Sequence, residues 1–419
     1  MTRSRFILLM VLLACTCRVA SAQPCTSEDW PCFSMYPVAD VPVWVADTND
    51  PDVAAPLLIY LHRYGPFGGT AITEEHTWLK LWPSGSDEFD GYVGLRDRVV
   101  ETPEGETGWI YALPNGAIDP TNACDSPDVI GQRYWNAFDD CCAFNYMGEG
   151  SSGLSDGAPN HAAYINDLIR HIKSTHNVDP NRVYIFGYSA GGFLAHRLAC
   201  LNGDVGYYAP DEPQLIAGIG SYAGCVGTNP ADCSGVTPVN ILTTHDLGDE
   251  SVPYAGGAEE LISACWPKYP RFHEGAWGTI TNWVMLNQCD TTAEVLDPVA
   301  PFDLNVEYST AQNLRWSNGR DNSIVQHLRS ILGSHRPTLS MRARDFIIQW
   351  YTDHPRPDPE KPSNEPCPAD LNHDEKVDGA DLGLFFAAWN ESGPADFDQN
   401  GVVDGADLGT LLMAWGDCP

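Results

Sequence analysis

The segment Gly187-Tyr188-Ser189-Ala190-Gly191 places a serine between two glycines. It directly follows a predicted strand at 183–186 and precedes a predicted helix at 193–201. Glycines around a serine permit a tight, strained turn that lifts the hydroxyl above the end of a sheet. This strand–turn–helix context predicts that Ser189 is a nucleophile. An ordinary structural turn is the alternative.

A serine hydroxyl is a weak nucleophile, so it needs a histidine base and an acid that orients the histidine. In chains with this motif, the acid and then the histidine follow the serine. Asp249 lies in a loop beyond the predicted strand 239–244 and is the predicted acid, with Asp246 as its competitor. His335 follows the last predicted strand, 325–332, and is the predicted base.

Catalysis of acyl transfer also needs backbone N–H groups that bind the negative oxygen of the tetrahedral intermediate. The residue after the nucleophile, Ala190, is one predicted donor. The second is expected from the loop after the early strand 56–62, where Tyr64 is the first choice and Arg63 the second. His62 is interpreted as a structural residue that holds this loop.

The elements that must position these groups are short apolar runs, without clean alternation, as in parallel strands buried on both faces. The predicted strands are 56–62, 109–113, 182–186, 216–222, 239–244 and 325–332. A predicted helix at 161–176 carries one apolar stripe, and a turn at 179–181 precedes the next strand. This alternation predicts an α/β fold with a mostly parallel sheet and helices on both faces.

Several ordered segments resemble the polyhydroxybutyrate-depolymerase and feruloyl-esterase group of secreted esterases. They are 57–62, 134–136, 141–142, 177–184, 187–192 and 252–254. The resemblance covers roughly residues 35 to 353 and implies an α/β-hydrolase fold. It also implies ester hydrolysis through an acyl-enzyme without a cofactor. The chain departs from the family at Arg63, where the family has glycine, and at Arg336, where it often has an aromatic residue.

A second chemistry is indicated by a repeat with a period of 26 residues, in which Asp370-Leu-Asn recurs as Asp396-Phe-Asp and Trp389 recurs as Trp415. Oxygen ligands spaced as in an EF-hand loop can surround Ca²⁺. The predicted ligands are Asp370, Asn372, Asp374, the Lys376 carbonyl, Asp378 and Asp381 in one loop. In the other they are Asp396, Asp398, Asn400, the Val402 carbonyl, Asp404 and Asp407.

This repeat resembles dockerin modules, which implies a small all-α domain with two structural calcium ions. In cellulosomal dockerins the residues at loop positions 10 and 11 contact the cohesin partner. Those positions here are Gly379-Ala380 and Gly405-Ala406. A cohesin-like or cell-surface partner is therefore expected, and a simple folding or attachment role remains open.

The ends of the chain predict its organisation and compartment. Residues 1–22 read as a secretory signal peptide, with lipidation of Cys15 as a minor alternative. The esterase domain is predicted at 23–353, a proline-rich linker at 354–366 and the calcium-binding module at 367–419. Twelve cysteines remain after the signal peptide, which favours disulfides and an extracellular location. No other segment is apolar enough to span a membrane.

The formal net charge of −33 argues against nucleic acid as a partner, because phosphates would be repelled. The sequence therefore predicts an extracellular serine esterase that acts on polysaccharide-linked feruloyl or acetyl esters, or on a polyhydroxyalkanoate-type polyester. Two alternatives remain: a serine peptidase of the prolyl-peptidase type, and a non-catalytic binding protein on a hydrolase fold.

Overall fold

Six parallel strands form the centre of the fold in the computed structural model of the chain. The structure describes residues 38–41, 43–64, 98–102, 104–118, 133–137, 160–204, 215–227, 233, 237–258, 272–335, 337–357, 369, 371, 376–390, 393, 395, 397 and 402–417. The predicted signal peptide, Cys15 and most of the predicted linker lie outside these residues.

The helices and strands are numbered in chain order. The strands are β1 (Val43–Val45), β2 (Ala55–Leu61), β3 (Val100–Thr102), β4 (Gly105–Thr107), β5 (Ile110–Ala112), β6 (Ala117–Ile118), β7 (Arg133–Tyr134), β8 (Val178–Tyr188), β9 (Gly218–Tyr222), β10 (Asn240–Asp246), β11 (Gly257–Ala258), β12 (Phe272–His273), β13 (Glu294–Val299), β14 (Ala311–Trp316), β15 (Val325–Ser330), β16 (Lys376–Val377) and β17 (Gly416–Asp417). The helices are α1 (His161–Thr175), α2 (Ala190–Cys200), α3 (Gly275–Asn287), α4 (Met341–Asp353), α5 (Gly379–Ala387) and α6 (Gly405–Met413).

The large sheet has nine strands in the order β1-β5-β2-β8-β9-β10-β15-β14-β13. The six central strands, from β5 to β15, are parallel and coincide with the six strands predicted from the sequence. The three outer strands β1, β14 and β13 are antiparallel to their neighbours. The prediction of a mostly parallel sheet is confirmed. The three antiparallel strands at its edges were not predicted from the sequence.

Helices cover both faces of this sheet. Along β2, Leu57 and Ile59 pack into one apolar cluster and Leu58 and Tyr60 into another. The first cluster includes residues of α1, α2 and α3, and the second includes residues of α4. Because both sides of the central strands are buried, their sequences are continuous apolar runs.

The predicted turn at 179–181 is visible as an irregularity within β8. Val178 pairs with Ala55, but the next paired residue, Val183, is opposite Leu57. The intervening residues bulge away, and the Asp179 carboxylate accepts a hydrogen bond from the backbone N–H of Asn181 at 2.8 Å. The strand thus begins four residues earlier than predicted, with a bulge where the turn was expected.

The C-terminal residues form a separate small cluster of buried apolar side chains. Its members are Ala369, Val377, Phe385, Ala395, Val403 and Leu411. Helices α5 and α6 each begin with a capping box, in which Asp378 and Asp404 are the respective N-caps. The two halves of the sequence repeat therefore share a nine-residue helix with the same N-terminal cap.

The described cysteines divide into one disulfide and two thiols. Cys200 and Cys233 are bonded, as the cysteine count favours. Cys225 and Cys289 are buried thiols, so the expectation of disulfides does not hold for these two. Among the described residues, no helix is long and apolar enough to cross a membrane.

Candidate active site

Ser189 occupies a strained turn between β8 and α2. Its φ of 54° and ψ of −118° are unfavourable for a residue with a Cβ. Close approach explains the flanking glycines: a Cβ at Gly187 would lie 2.1 Å from the Gly191 carbonyl oxygen, and one at Gly191 would lie 2.1 Å from that of Leu61. The predicted strand–turn–helix context of the motif is present.

The structure brings together the three side chains that the sequence assigned to catalysis. The Nε2 atom of His335 lies 3.0 Å from the Ser189 hydroxyl, and its Nδ1 lies 2.8 Å from Oδ2 of Asp249. All three residues are buried or nearly so. A neutral imidazole in this position can accept the proton of the serine hydroxyl, and the carboxylate fixes the tautomer of the imidazole.

Asp249 is held by its own loop. Its Oδ1 accepts hydrogen bonds from the backbone N–H groups of Ser251 and Val252, both at 2.8 Å. Its Oδ2 faces His335 and His245. Burial by itself would raise the pKa of Asp249, but the hydrogen bonds from the two histidines outweigh it and lower the pKa below its usual range. Asp249 is therefore ionised at neutral pH.

Asp246, the competitor for the acid, has a different position. It is the last residue of β10 and is fully buried. Its Oδ1 accepts from the N–H of Gly248 and its Oδ2 from the N–H of Gly333, both at 2.7 Å. The Asp246 carboxylate thus bridges the loop that carries Asp249 to the loop that carries His335.

Exchanging these two acids for amides should separate their roles. Asp249→Asn is expected to lower kcat about ten-thousand-fold, because the amide cannot hold His335 in the required tautomer. Asp246→Asn should mainly reduce stability, by about 1–3 kcal/mol, because an amide nitrogen would face a backbone N–H. Rates with a soluble ester and thermal melting of both variants measure this. A larger rate loss in Asp246→Asn would contradict the assignment.

The side chains of Tyr188 and His245 also contact the triad, and neither contact was predicted. The phenol of Tyr188 donates to the backbone carbonyl of His335, 147 residues away. His245 approaches Asp249 with its Nε2 3.4 Å from Oδ2. A signal for His245 existed in its spacing of four residues from Asp249, but no sequence pattern reports the Tyr188 contact.

The loop after β2 lies against the start of α2. Ala190 is the first residue of α2, so its N–H belongs to the turn whose donors have no partner inside the helix. The carbonyls of Leu61 and His62 contact Gly191 closely enough to exclude a side chain there. Tyr64 follows two residues later and is buried. The two predicted oxyanion donors therefore come from neighbouring segments.

His62 holds this loop. Its Nδ1 donates to the carbonyl of Arg63 at 2.6 Å, its Nε2 accepts from the N–H of Gly116 at 3.0 Å, and its carbonyl accepts from the indole N–H of Trp135. Burial lowers the pKa of His62 to about 3, so the ring is neutral. The Arg63 guanidinium turns back to donate to the carbonyl of Tyr64.

The predicted calcium ligands are described only in part. Lys376, Asp378, Asp381, Val402, Asp404 and Asp407 are described, whereas Asp370, Asn372, Asp374, Asp396, Asp398 and Asn400 lie outside the described residues. Asp381 and Asp407 are fully buried, and each carboxylate accepts two backbone N–H groups. Within the described residues, no group of three or more histidine, cysteine or acidic side chains could hold a metal ion.

No protein-family model matches the chain. The chain is similar to feruloyl esterase B of Piromyces equi, with 26% identity over 239 residues, which cover 57% of this chain and 33% of that protein. It is also similar to the putative esterase NocK of Nocardia uniformis subsp. tsuyamanensis, with 29% identity over 89 residues, covering 21% and 23% of the two chains. The chain therefore spans a third or less of the length of these relatives.

Among solved structures, the chain is similar to an acetyl xylan esterase from Aspergillus awamori, with 12% identity and a TM-score of 0.38. The match covers 74% of this chain and 92% of that one.

Proposed function

We propose that this protein is a serine carboxylic-ester hydrolase in which Ser189, His335 and Asp249 form the catalytic triad. The observation that carries the proposal is the continuous hydrogen-bonded line from the Ser189 hydroxyl through His335 to Asp249, with distances of 3.0 and 2.8 Å. The strained backbone at Ser189 supports it, because strain of this kind aims a nucleophile.

The geometry supports acyl transfer in two steps. Ser189 Oγ attacks the carbonyl carbon of the ester while its proton passes to Nε2 of His335. The N–H groups of Ala190 and Tyr64 bind the oxyanion, and the protonated His335 then gives its proton to the departing alcohol. Water activated by His335 hydrolyses the acyl-enzyme and frees Ser189. No metal or cofactor is needed for these steps.

The substrate class rests on the curated relatives. The similarity to a protein named feruloyl esterase favours esters of aromatic acids on a polysaccharide. Acetylated polysaccharides and polyhydroxyalkanoate-type polyesters are the further substrates that we propose for the same site. The peptidase and non-catalytic alternatives receive no support from the named relatives, both of which are called esterases.

A panel of substrates tests this proposal. Purified protein is assayed with short p-nitrophenyl esters, methyl ferulate, acetylated xylan, polyhydroxybutyrate and a chromogenic proline peptide. We expect hydrolysis of the soluble esters and of at least one polymer, and none of the peptide. Cleavage of the peptide alone would support the peptidase alternative, and no turnover of any substrate would support the non-catalytic one.

We also propose that residues 367–419 bind two calcium ions and that the chain is secreted after removal of residues 1–22. The donors fit a hard cation: carboxylate oxygens and backbone carbonyls are the ligands that Ca²⁺ prefers. Asp381 and Asp407 are buried carboxylates at equivalent positions of the two repeats. A cohesin-like or cell-surface partner of this module remains part of the same proposal.

Chelation of the full-length protein tests the calcium proposal. Without a cation the loop carboxylates repel one another, so we expect the tail to unfold and protease to cut near 354–366. Hydrolysis of a soluble ester should stay nearly unchanged, because the large sheet has its own apolar clusters. Equal protease resistance with and without chelator would contradict calcium binding.

A further inference from the structure

His245 lies beside the triad, against the same carboxylate oxygen of Asp249 that contacts His335. It belongs to β10, is buried, and precedes Asp249 by four residues. Its Nε2 lies 3.4 Å from Oδ2 of Asp249, the same oxygen that contacts His335. Asp249 is thus placed between two imidazole rings, only one of which contacts the nucleophile.

The hydrogen bonds fix the proton on one side of the His245 ring. Nε2 lies 2.8 Å from the backbone carbonyl of Val252, and a carbonyl oxygen can only accept. Nε2 therefore carries a proton, which it donates to the Val252 carbonyl, with Asp249 close to the same nitrogen. Val252 is itself held by Asp249 through its own N–H. The ring thus joins both ends of the loop that carries the acid.

The other nitrogen of the ring faces a buried thiol. Nδ1 of His245 is 4.0 Å from Sγ of Cys225, which is fully buried. His273 is also close to this thiol. Its Nδ1 accepts a hydrogen bond from the N–H of Gly275 at 3.1 Å, so its proton is on Nε2. An imidazolium beside a thiol favours the thiolate.

The charges of the neighbourhood agree with a protonated His245. Burial alone would lower the pKa of His245, but its hydrogen bonds with Asp249 and Cys225 outweigh burial and raise the pKa to about 10. Burial alone would raise the pKa of Cys225, but the bonds from His245 and His273 lower it to about 7. The other titratable groups around this pair are Tyr254, His327, His196 and Arg329.

We propose that His245 is a positioning residue that holds Asp249, as an imidazolium paired with its carboxylate, in line with His335. The proposal rests on the proposed hydrolase function and adds a fourth group to its triad. Its consequence is that the negative charge of Asp249 interacts with both His245 and His335. General-base catalysis should therefore persist to lower pH than it would with an unshared carboxylate.

The substitution His245→Gln tests this. Glutamine keeps an N–H that can reach Val252 and Asp249 but removes the positive charge. The interaction of Asp249 with His335 is then no longer shared. The acid limb of the pH profile, which is the decline of kcat/KM at low pH, should therefore shift to higher pH by about one unit. We expect kcat/KM at the optimum to fall about tenfold, with KM unchanged.

His327→Gln is the matched control. His327 is equally buried on the neighbouring strand β15 and bonds to Thr243 and Tyr254, at 2.8 and 3.0 Å, but contacts neither Asp249 nor His335. It should lose stability without moving the acid limb. An unmoved acid limb in His245→Gln, or the same shift in both variants, would overturn the proposal.

Two measurements keep this test independent of the ester and of the folding of the variants. Labelling of Ser189 by a fluorophosphonate, in which the serine oxygen displaces fluoride, reports the same acid limb without an ester. If neither wild-type protein nor control reacts, the proposed function itself has failed. In wild-type protein labelled with ¹⁵N-histidine, one ring should keep protons on both nitrogens at about pH 9. If every ring has lost a proton by then, His245 is not the imidazolium that we propose.

Discussion

Ser189→Ala is expected to reduce ester hydrolysis about a million-fold, a loss typical of triad nucleophiles. The hydroxyl is the acyl acceptor, and among the described residues it is the hydroxyl that contacts the imidazole ring of His335. The backbone should keep its conformation, since Gly187 and Gly191 set the turn through their contacts with neighbouring carbonyls. The measurement is the initial rate with a p-nitrophenyl ester, and retention of a tenth of the activity would refute the assignment.

The substitution offers its own control for folding. Alanine relieves neither the positive φ nor the close packing, so the free energy of unfolding should change by about 1 kcal/mol or less. The melting temperature of Ser189→Ala should then lie within a few degrees of that of the wild type. A fluorophosphonate should label the wild type and leave the variant unmodified. Labelling of the variant would place the reactive nucleophile elsewhere in the chain.

His335→Ala should be nearly as damaging. Without the imidazole, the Ser189 hydroxyl lacks a base within hydrogen-bonding distance, and the departing alcohol lacks a proton donor. In the wild type the rate should fall at acidic pH, because a protonated imidazole can no longer act as a base. The pH profiles of kcat/KM for both proteins check this.

A rate that stays flat down to about pH 4 would exclude a histidine base, because an ordinary imidazole is protonated there. His245 cannot substitute for His335, since its Nε2 lies against the Val252 carbonyl and Asp249, and its Nδ1 faces Cys225. His327→Gln again provides the comparison, as a buried histidine that does not contact the triad.

The central strands could be predicted because burial on both faces produces apolar runs that the sequence displays. The edge strands could not be predicted, because they are not buried on both faces. Most residues of β13 are exposed, and its segment Glu294–Val299 includes a proline and two acidic residues. Such a strand has neither an apolar run nor clear alternation, and only its pairing with β14 defines it.

The order of the triad along the chain could be predicted, but the choice between Asp246 and Asp249 required coordinates. Both residues follow the same apolar run, and both are buried. The difference is that β10 continues through Asp246, so this carboxylate is fixed at the strand end, whereas Asp249 lies free of the ladder and faces His335. The contacts of Tyr188 and Cys225 depend on segments far apart in sequence, which no local pattern reports.

The bridge made by Asp246 bears on how such an enzyme can change during evolution. The acid and the base are 86 residues apart in sequence, yet they lie in loops that follow adjacent strands, and one carboxylate joins these loops. The hairpin β13–β14 lies outside β15 and does not separate the two strands. Insertions, deletions or exchanges in the hairpin β13–β14 can therefore accumulate without changing the distance between acid and base.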